Sequence, residues 1–189
     1  MPDEVVAVAG VIGSALDTAQ AKWFIGGSVA SSRWGRPRST YDIDIVAALS
    51  PAMVPRLVRD LGHAWYADPQ MIIRAIASGR PCNVIHQDTQ VKVDLYGPDS
   101  MPMDHEALGR RRSEVIDGIR LWFASPEDVI LSKLLWHRLG GGVSERQISD
   151  VAGVIEQQAL VLDRSYLDRW ITTLDLRQTW DRACATAAR

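Results

Sequence analysis

The segment that most constrains this chain is Asp42-Ile43-Asp44-Ile45-Val46-Ala47. It alternates in the manner of a strand. Side chains two apart on a strand share a face, so Asp42 and Asp44 project together while Ile43 and Ile45 point into a core. A later segment, Lys92-Val93-Asp94-Leu95-Tyr96, repeats the logic. Val91, Val93 and Leu95 form its apolar set, and Lys92, Asp94 and Tyr96 share the opposite face. If the two strands are neighbours, three carboxylates converge. Such a concentration of negative charge is costly unless cations neutralise it. Hard oxygen ligands select Mg²⁺ or Mn²⁺. Two such ions roughly 3.5–4 Å apart can stabilise the attacking and leaving oxygens of a phosphoryl displacement.

Gly26-Gly27-Ser28 precedes the paired aspartates, with thirteen residues between Ser28 and Asp42. It ends a short strand, Lys22 to Ile25, and opens a turn into a loop or short helix that carries Arg33, Arg36 and Arg38. Glycine lets the backbone come close to a phosphate, and the exposed N–H groups and the serine hydroxyl can hold its oxygens.

Around this constellation the periodicity predicts an α/β first half and a helical remainder. Residues 3–20 carry a broad helical stripe of Val5, Val6, Val8, Val11, Ile12 and Leu16. Ser50-Pro51 and Asp68-Pro69 each open a helix, the second ending near Gly79. Cys82 to His86 and Val91 to Tyr96 form a hairpin around Gln87-Asp88-Thr89. Residues 98–118 fit no clear pattern. Ser125-Pro126-Glu127-Asp128 is a cap with acids in the first turn, and Gly140-Gly141-Gly142 stops the apolar helix it begins. The expected fold is a short mixed twisted sheet flanked by helices. It divides into an α/β core over 1–120 and a helical C-terminal region over 121–189 packed on that core.

The 189 residues, 47% of them apolar and 23% charged, suit a folded domain rather than a disordered chain. A net charge of -2 excludes a generally basic nucleic-acid binder but not a local patch. Two distant cysteines, Cys82 and Cys184, make no disulfide framework, and the four histidines form no HExxH or HxxxH pattern. No apolar stretch approaches a membrane span and the start is acidic, so a cytoplasmic protein with no membrane partner is expected.

The order Gly-Gly-Ser, Asp-Ile-Asp-Ile, then a lone strand Asp resembles the DNA polymerase beta nucleotidyltransferase superfamily. Arg38-Ser39-Thr40-Tyr41-Asp42-Ile43-Asp44 is similar to the Arg-x-Thr-x-Asp-Ile-Asp run of its small prokaryotic members. Ser125 to Leu134 resembles a second motif, seen in the abortive-infection toxin nucleotidyltransferases and their relatives. There a helix lysine, here Lys133, is proposed to meet nucleotide phosphates, and an Arg and an Asp follow, here Arg146 and Asp150. The resemblance spans roughly residues 20–155. It implies that Asp42, Asp44 and Asp94 are metal ligands and catalytic groups, with Mg²⁺ or Mn²⁺ as cofactor. It also implies that Gly26, Gly27, Ser28 and Lys133 bind an NTP. The reaction implied is transfer of NMP to a hydroxyl of RNA or protein, with pyrophosphate released and a cognate antitoxin protein as a further partner. A small hydroxylated antibiotic is the rival acceptor, and a non-catalytic nucleotide-binding or antitoxin-type module the rival class.

Plainer readings stand beside several of these residues. Lys133 lies among Leu131, Leu134 and Leu135 and can snorkel to the surface. Asp150 can pair with Arg146 one turn before it. Arg110-Arg111-Arg112 reads as a solvated charge run ahead of a phosphate or RNA site. The seven tryptophans read as core.

Overall fold

A computed structural model describes residues 2–188. Helix α1 (Asp3–Thr18) leads into β1 (Trp23–Ile25), α2 (Gly27–Trp34) and β2 (Asp42–Ala47). A 3-10 turn at Pro51–Met53 precedes α3 (Val54–Leu61) and the short β3 (Trp65–Tyr66). Then come α4 (Pro69–Ser78), β4 (Cys82–His86), β5 (Lys92–Tyr96) and α5 (Asp104–Arg110). The hairpin β6 (Arg112–Ile116) and β7 (Ile119–Phe123) completes the sheet. Every later element is helical: α6 (Pro126–Leu139), α7 (Glu145–Gln158), α8 (Arg164–Thr173) and α9 (Arg177–Ala187). The expected division at residue 120 falls inside β7, which carries the α/β part through Phe123.

The seven strands form one mixed sheet in the order β3-β4-β5-β2-β1-β7-β6. β2 lies at its centre, parallel to β5 and antiparallel to β1. Ile43, Ile45, Val93 and Leu95 are buried on one face, as the alternation requires. Val5, Val8, Ile12 and Leu16 of α1 belong to the same continuous core. At about 25 cal/mol per Å² of apolar surface buried, this core is the main favourable term.

β3, α5 and the β6–β7 hairpin escape the sequence reading. β3 is only two residues long, and the β6–β7 hairpin turns at Asp117-Gly118, both with positive φ. Ser50, expected to cap a helix, makes no side-chain cap, and the chain enters a 3-10 turn first. Ser125 does cap α6, accepting from the Asp128 amide at 3.2 Å.

Of the arginine run only Arg112 is exposed as a solvated charge; Arg110 and Arg111 are not. Arg110 lies over the Tyr166 ring at 3.7 Å and pairs with Glu127 at 3.3 Å and Asp163 at 3.5 Å. Arg111 lies over the Trp122 ring at 4.4 Å. Packing α5 against α6 and α8 buries acids that need cationic partners, and Arg110 supplies one. Glu127 and Asp128 are accordingly buried anchors of the helical tail. Asp128 accepts from the Ser125 hydroxyl at 2.6 Å and from the Tyr166 hydroxyl at 2.5 Å. Among the described residues no helix is long and apolar enough to cross a membrane.

Candidate active site

The register of β2 against β5 decides where the three acids lie. Asp44 is paired in register with Asp94, and Asp42 with Lys92. All four side chains therefore share the face opposite Ile43, Ile45, Val93 and Leu95. Asp42 is exposed at the mouth, while Asp44 and Asp94 are partly buried. The Lys92 ammonium bridges the cluster, 3.0 Å from Asp94 and 3.6 Å from Asp42. Its hydrogen bond and attraction to Asp94 raise the lysine pKa above its ordinary value. Burial pushes the Asp44 carboxyl upward, and the Asp94 charge adds to this, with Lys133 opposing.

Among the described residues, no three His, Cys, Asp or Glu side chains are gathered closely enough to hold a metal ion as they stand. In chemistry alone, three carboxylates on one face of adjacent strands are the oxygen donors a hard divalent cation takes, and two of them, Asp42 and Asp94, already lie within reach of one positive charge. Lys92 is the stand-in cation, on a side chain 36% exposed and free to swing into solvent.

Gly26-Gly27-Ser28 meets these acids because β1 runs antiparallel to β2. The Gly26 amide donates to the Asp44 carbonyl at 2.8 Å, fixing the turn beside the carboxylate. α2 starts at Gly27 with no side-chain cap, so its first amides remain available to an anion. Gly27 has φ +53°, and a Cβ there would lie 1.8 Å from Asp44 Oδ2. No side chain fits between this turn and Asp44. Gly26 differs, since a Cβ there would meet only the Phe24 ring, at 3.8 Å. Gly27→Ala is therefore expected to cost about 1–3 kcal/mol of stability and to displace the Asp44 carboxylate. Gly26→Ala should be tolerated. Urea melts of both variants check this, and equal midpoints would deny Gly27 its special place.

Lys133 does not snorkel. It is 4% exposed, and its ammonium is held by Asp150 at 2.7 Å and by the Gln147 side-chain oxygen at 3.2 Å. Burial pulls its pKa below the ordinary value, against the pull of Asp150. Asp150 does not pair with Arg146, which is exposed on α7. Asp150 instead takes Lys133, the Arg38 guanidinium at 3.5 Å and the Ser31 hydroxyl at 3.4 Å. Arg38 also donates to the Ser28 hydroxyl. Two cations, Lys133 and Arg38, are thus set around the Gly26-Gly27-Ser28 turn by one carboxylate from the helical tail.

These groups line a cavity of about 450 Å³ between the acid-bearing face of the sheet and the helical tail. Gly26, Gly27, Ser28, Asp44, Lys133 and Gln147 surround one part of it. Tyr96, Ser100, Asp104 and Trp136 also line it. Asp42 and Asp94 stand outside its lining, Asp42 exposed and Asp94 partly buried. Of the residues the sequence singled out, Gly26, Gly27, Ser28, Asp44 and Lys133 line this cavity and Asp42 and Asp94 do not. Asp104, Trp136 and Gln147 of its lining, and Arg38 beside Ser28, were not among the expected site residues. Trp136 is half-exposed, so it departs from the reading of the tryptophans as core.

The architecture is a nucleotidyltransferase fold. The chain is similar to the crystal structure of an antigenic nucleotidyltransferase-like protein from Paracoccidioides brasiliensis. The TM-score is 0.55 at 18% identity, over 95% of this chain and 93% of that one. It is similar to ANT(2'')-Ia in complex with adenylyl-2''-tobramycin, with TM-score 0.55 and 18% identity over 92% and 98% of the two chains. It is also similar to the antibiotic-resistance factor ANT(2'')-Ia in solution, with TM-score 0.53 and 17% identity over 98% and 96%. No protein-family model matches the sequence, and no curated protein matches it. The likeness is one of fold, and the finer resemblance to abortive-infection toxins rests on the sequence motifs alone.

Proposed function

We propose that the protein is a metal-dependent nucleotidyltransferase that moves NMP from an NTP to a hydroxyl acceptor and releases pyrophosphate. The observation that carries this reading is the register of Asp44 with Asp94 beside the open amides of Gly27 and Ser28. Asp42, Asp44 and Asp94 would hold Mg²⁺ or Mn²⁺, which when bound neutralises charge on the carboxylates and phosphates. The remaining roles belong to the chain. The Gly27 and Ser28 amides and the Ser28 hydroxyl hold the triphosphate, and Lys133 and Arg38 offset its charge. Asp94, on the open side, accepts the proton of the acceptor hydroxyl. The acceptor oxygen then forms its bond to the α-phosphorus as the bond from that phosphorus to the bridging oxygen breaks. Positioning and charge neutralisation carry the rate, since the protein forms no bond to the phosphorus.

The two sequence motifs support an RNA or protein acceptor of the toxin type, with an antitoxin as partner. A second reading is favoured by the fold likeness to ANT(2'')-Ia, a structure that holds adenylylated tobramycin. In it the acceptor is a small hydroxylated molecule. Incubating the protein with each labelled NTP, Mg²⁺ and, separately, total RNA, a protein pool and an aminoglycoside pool tests both. Label in RNA or protein is the expected result. Label in the aminoglycosides alone selects the second reading, and label in none overturns transfer.

A further inference from the structure

The cavity beside the phosphate turn continues to a corner built by the chain after β5. There Gly97-Pro98-Asp99-Ser100 turns, with the Ser100 amide donating to the Gly97 carbonyl at 3.2 Å. Met101 and Asp104 then lock each other. The Asp104 amide donates to the Met101 carbonyl at 3.1 Å, and the Met101 amide donates to Asp104 Oδ2 at 2.9 Å. Asp104 is only 5% exposed, yet it lines the cavity, and Oδ1 is left for a ligand. Ser100 lines the same cavity, and its hydroxyl has no hydrogen-bond partner within the protein. The hydroxyl is therefore uncommitted within the chain and can donate to or accept from a ligand group. Trp136 is 50% exposed, one helical turn beyond Lys133, and it lines the cavity as well.

We propose that this corner reads the base of the nucleotide donor, with Asp104 and Ser100 selecting a base that carries an exocyclic amino group and Trp136 supplying a stacking face. The inference rests on the transfer reading above. A volume of about 450 Å³ lies toward the small end of the roughly 300–1,000 Å³ typical of ligand sites. It suits one nucleotide, not a nucleotide and an acceptor together. Asp94, the group an acceptor must reach, lies outside the lining. Lys133 and the Gly27-Ser28 turn fix the phosphates, so the base falls to the remaining part of the cavity.

The chemistry of the corner sets the choice of base. An ionised carboxylate only accepts hydrogen bonds. Adenine, cytosine and guanine present an amino group that can donate to Asp104 Oδ1. Uracil presents carbonyls on both sides of its single N–H, and these repel a carboxylate. Burial pushes the Asp104 carboxyl up to about 7. A donated amino N–H favours the ionised form, and the base ranking is read at a pH above that value, where the carboxylate only accepts; below it a protonated Asp104 can donate to a uracil carbonyl.

The test is equilibrium binding of ATP, GTP, CTP and UTP by calorimetry with Mg²⁺, using the full chain. At least one amino-bearing nucleotide should bind about tenfold or more tighter than UTP. Asp104→Asn keeps an oxygen for the Met101 amide and turns an NH₂ toward the cavity. It should erase or reverse that ranking in favour of UTP. Ser100→Ala removes a hydroxyl with no protein partner, so it should fold normally while narrowing the preference. Trp136→Ala should weaken all four nucleotides together by about tenfold. Binding of all four with one affinity, or an unchanged ranking in folded Asp104→Asn, overturns base reading and leaves the transfer reading standing. Failure of every nucleotide to bind overturns both.

Discussion

Asp44→Asn should lower nucleotidyl transfer at least about 10³-fold while leaving the metal-free protein as stable as the parent or more so at neutral pH. The two effects have one cause. Asp44 faces Asp94 in register and is lifted above the ordinary carboxylate range by burial and by the Asp94 charge. Its folded-state pKa therefore lies above the unfolded value of about 3.8. The native state holds that proton more tightly than the unfolded chain does. Stability falls as pH rises from the unfolded value to the folded one, and the penalty is fully present above it. Asparagine carries no charge, so the penalty disappears, and with it the oxygen charge a divalent cation needs. Thermal melts in chelator with a labelled-NTP assay in Mg²⁺ check both halves. A clear fall in the melting temperature of the metal-free variant would make Asp44 structural, held by its neighbours for packing.

The same strand explains why the acids were legible in the sequence. Alternation alone puts Asp42 and Asp44 on one face, and the apolar set Val91, Val93 and Leu95 orients Asp94 by elimination. The Gly-Gly-Ser turn was legible through its order and spacing ahead of Asp42 and Asp44, since a glycine pair alone also makes a plain tight turn. Pairing is what strand periodicity does not contain: that β5 lies beside β2, parallel and in register, depends on the whole sheet. Lys133 was ambiguous for a related reason. A lysine among leucines snorkels or is buried according to whether a distant carboxylate reaches it. Asp150 reaches it because the chain reverses sharply after α6 at Gly141 and Gly142, both at positive φ. α7 then lies against α6, with Gln147 and Asp150 turned to Lys133. The Asp104 corner had no short-range signal, since the pattern from residue 98 to 118 mixes a turn, a two-turn helix and half a hairpin.

Lys133→Met tests the cationic side of the site. The substitution keeps the apolar stem and removes the ammonium, leaving Asp150 buried beside Arg38 and the Ser31 hydroxyl. Breaking a buried pair by removing one partner costs about 3–5 kcal/mol, because the remaining charge is left uncompensated. Arg38, at 3.5 Å, offsets part of that, so the loss should fall at the lower end of the range. Adding Asp150→Leu should return most of the stability, since a buried ion pair replaced by apolar groups is often close to neutral. Arg38 is partly exposed and can be solvated when Asp150 is gone. Nucleotide binding should not return with stability. Lys133 lines one cavity with the Gly26-Gly27-Ser28 turn, and a lost charged hydrogen bond is worth about 1.5–3 kcal/mol, or roughly 10- to 160-fold in affinity. The proposed role of Lys133 at the β- and γ-phosphates requires a larger loss for NTP than for AMP. Urea melts separate the first effect, and calorimetry with Mg²⁺ the second. If the double variant regains stability and also binds NTP as the parent does, Lys133 is a buried strut for Asp150, and the triphosphate is held by Gly27, Ser28 and Arg38.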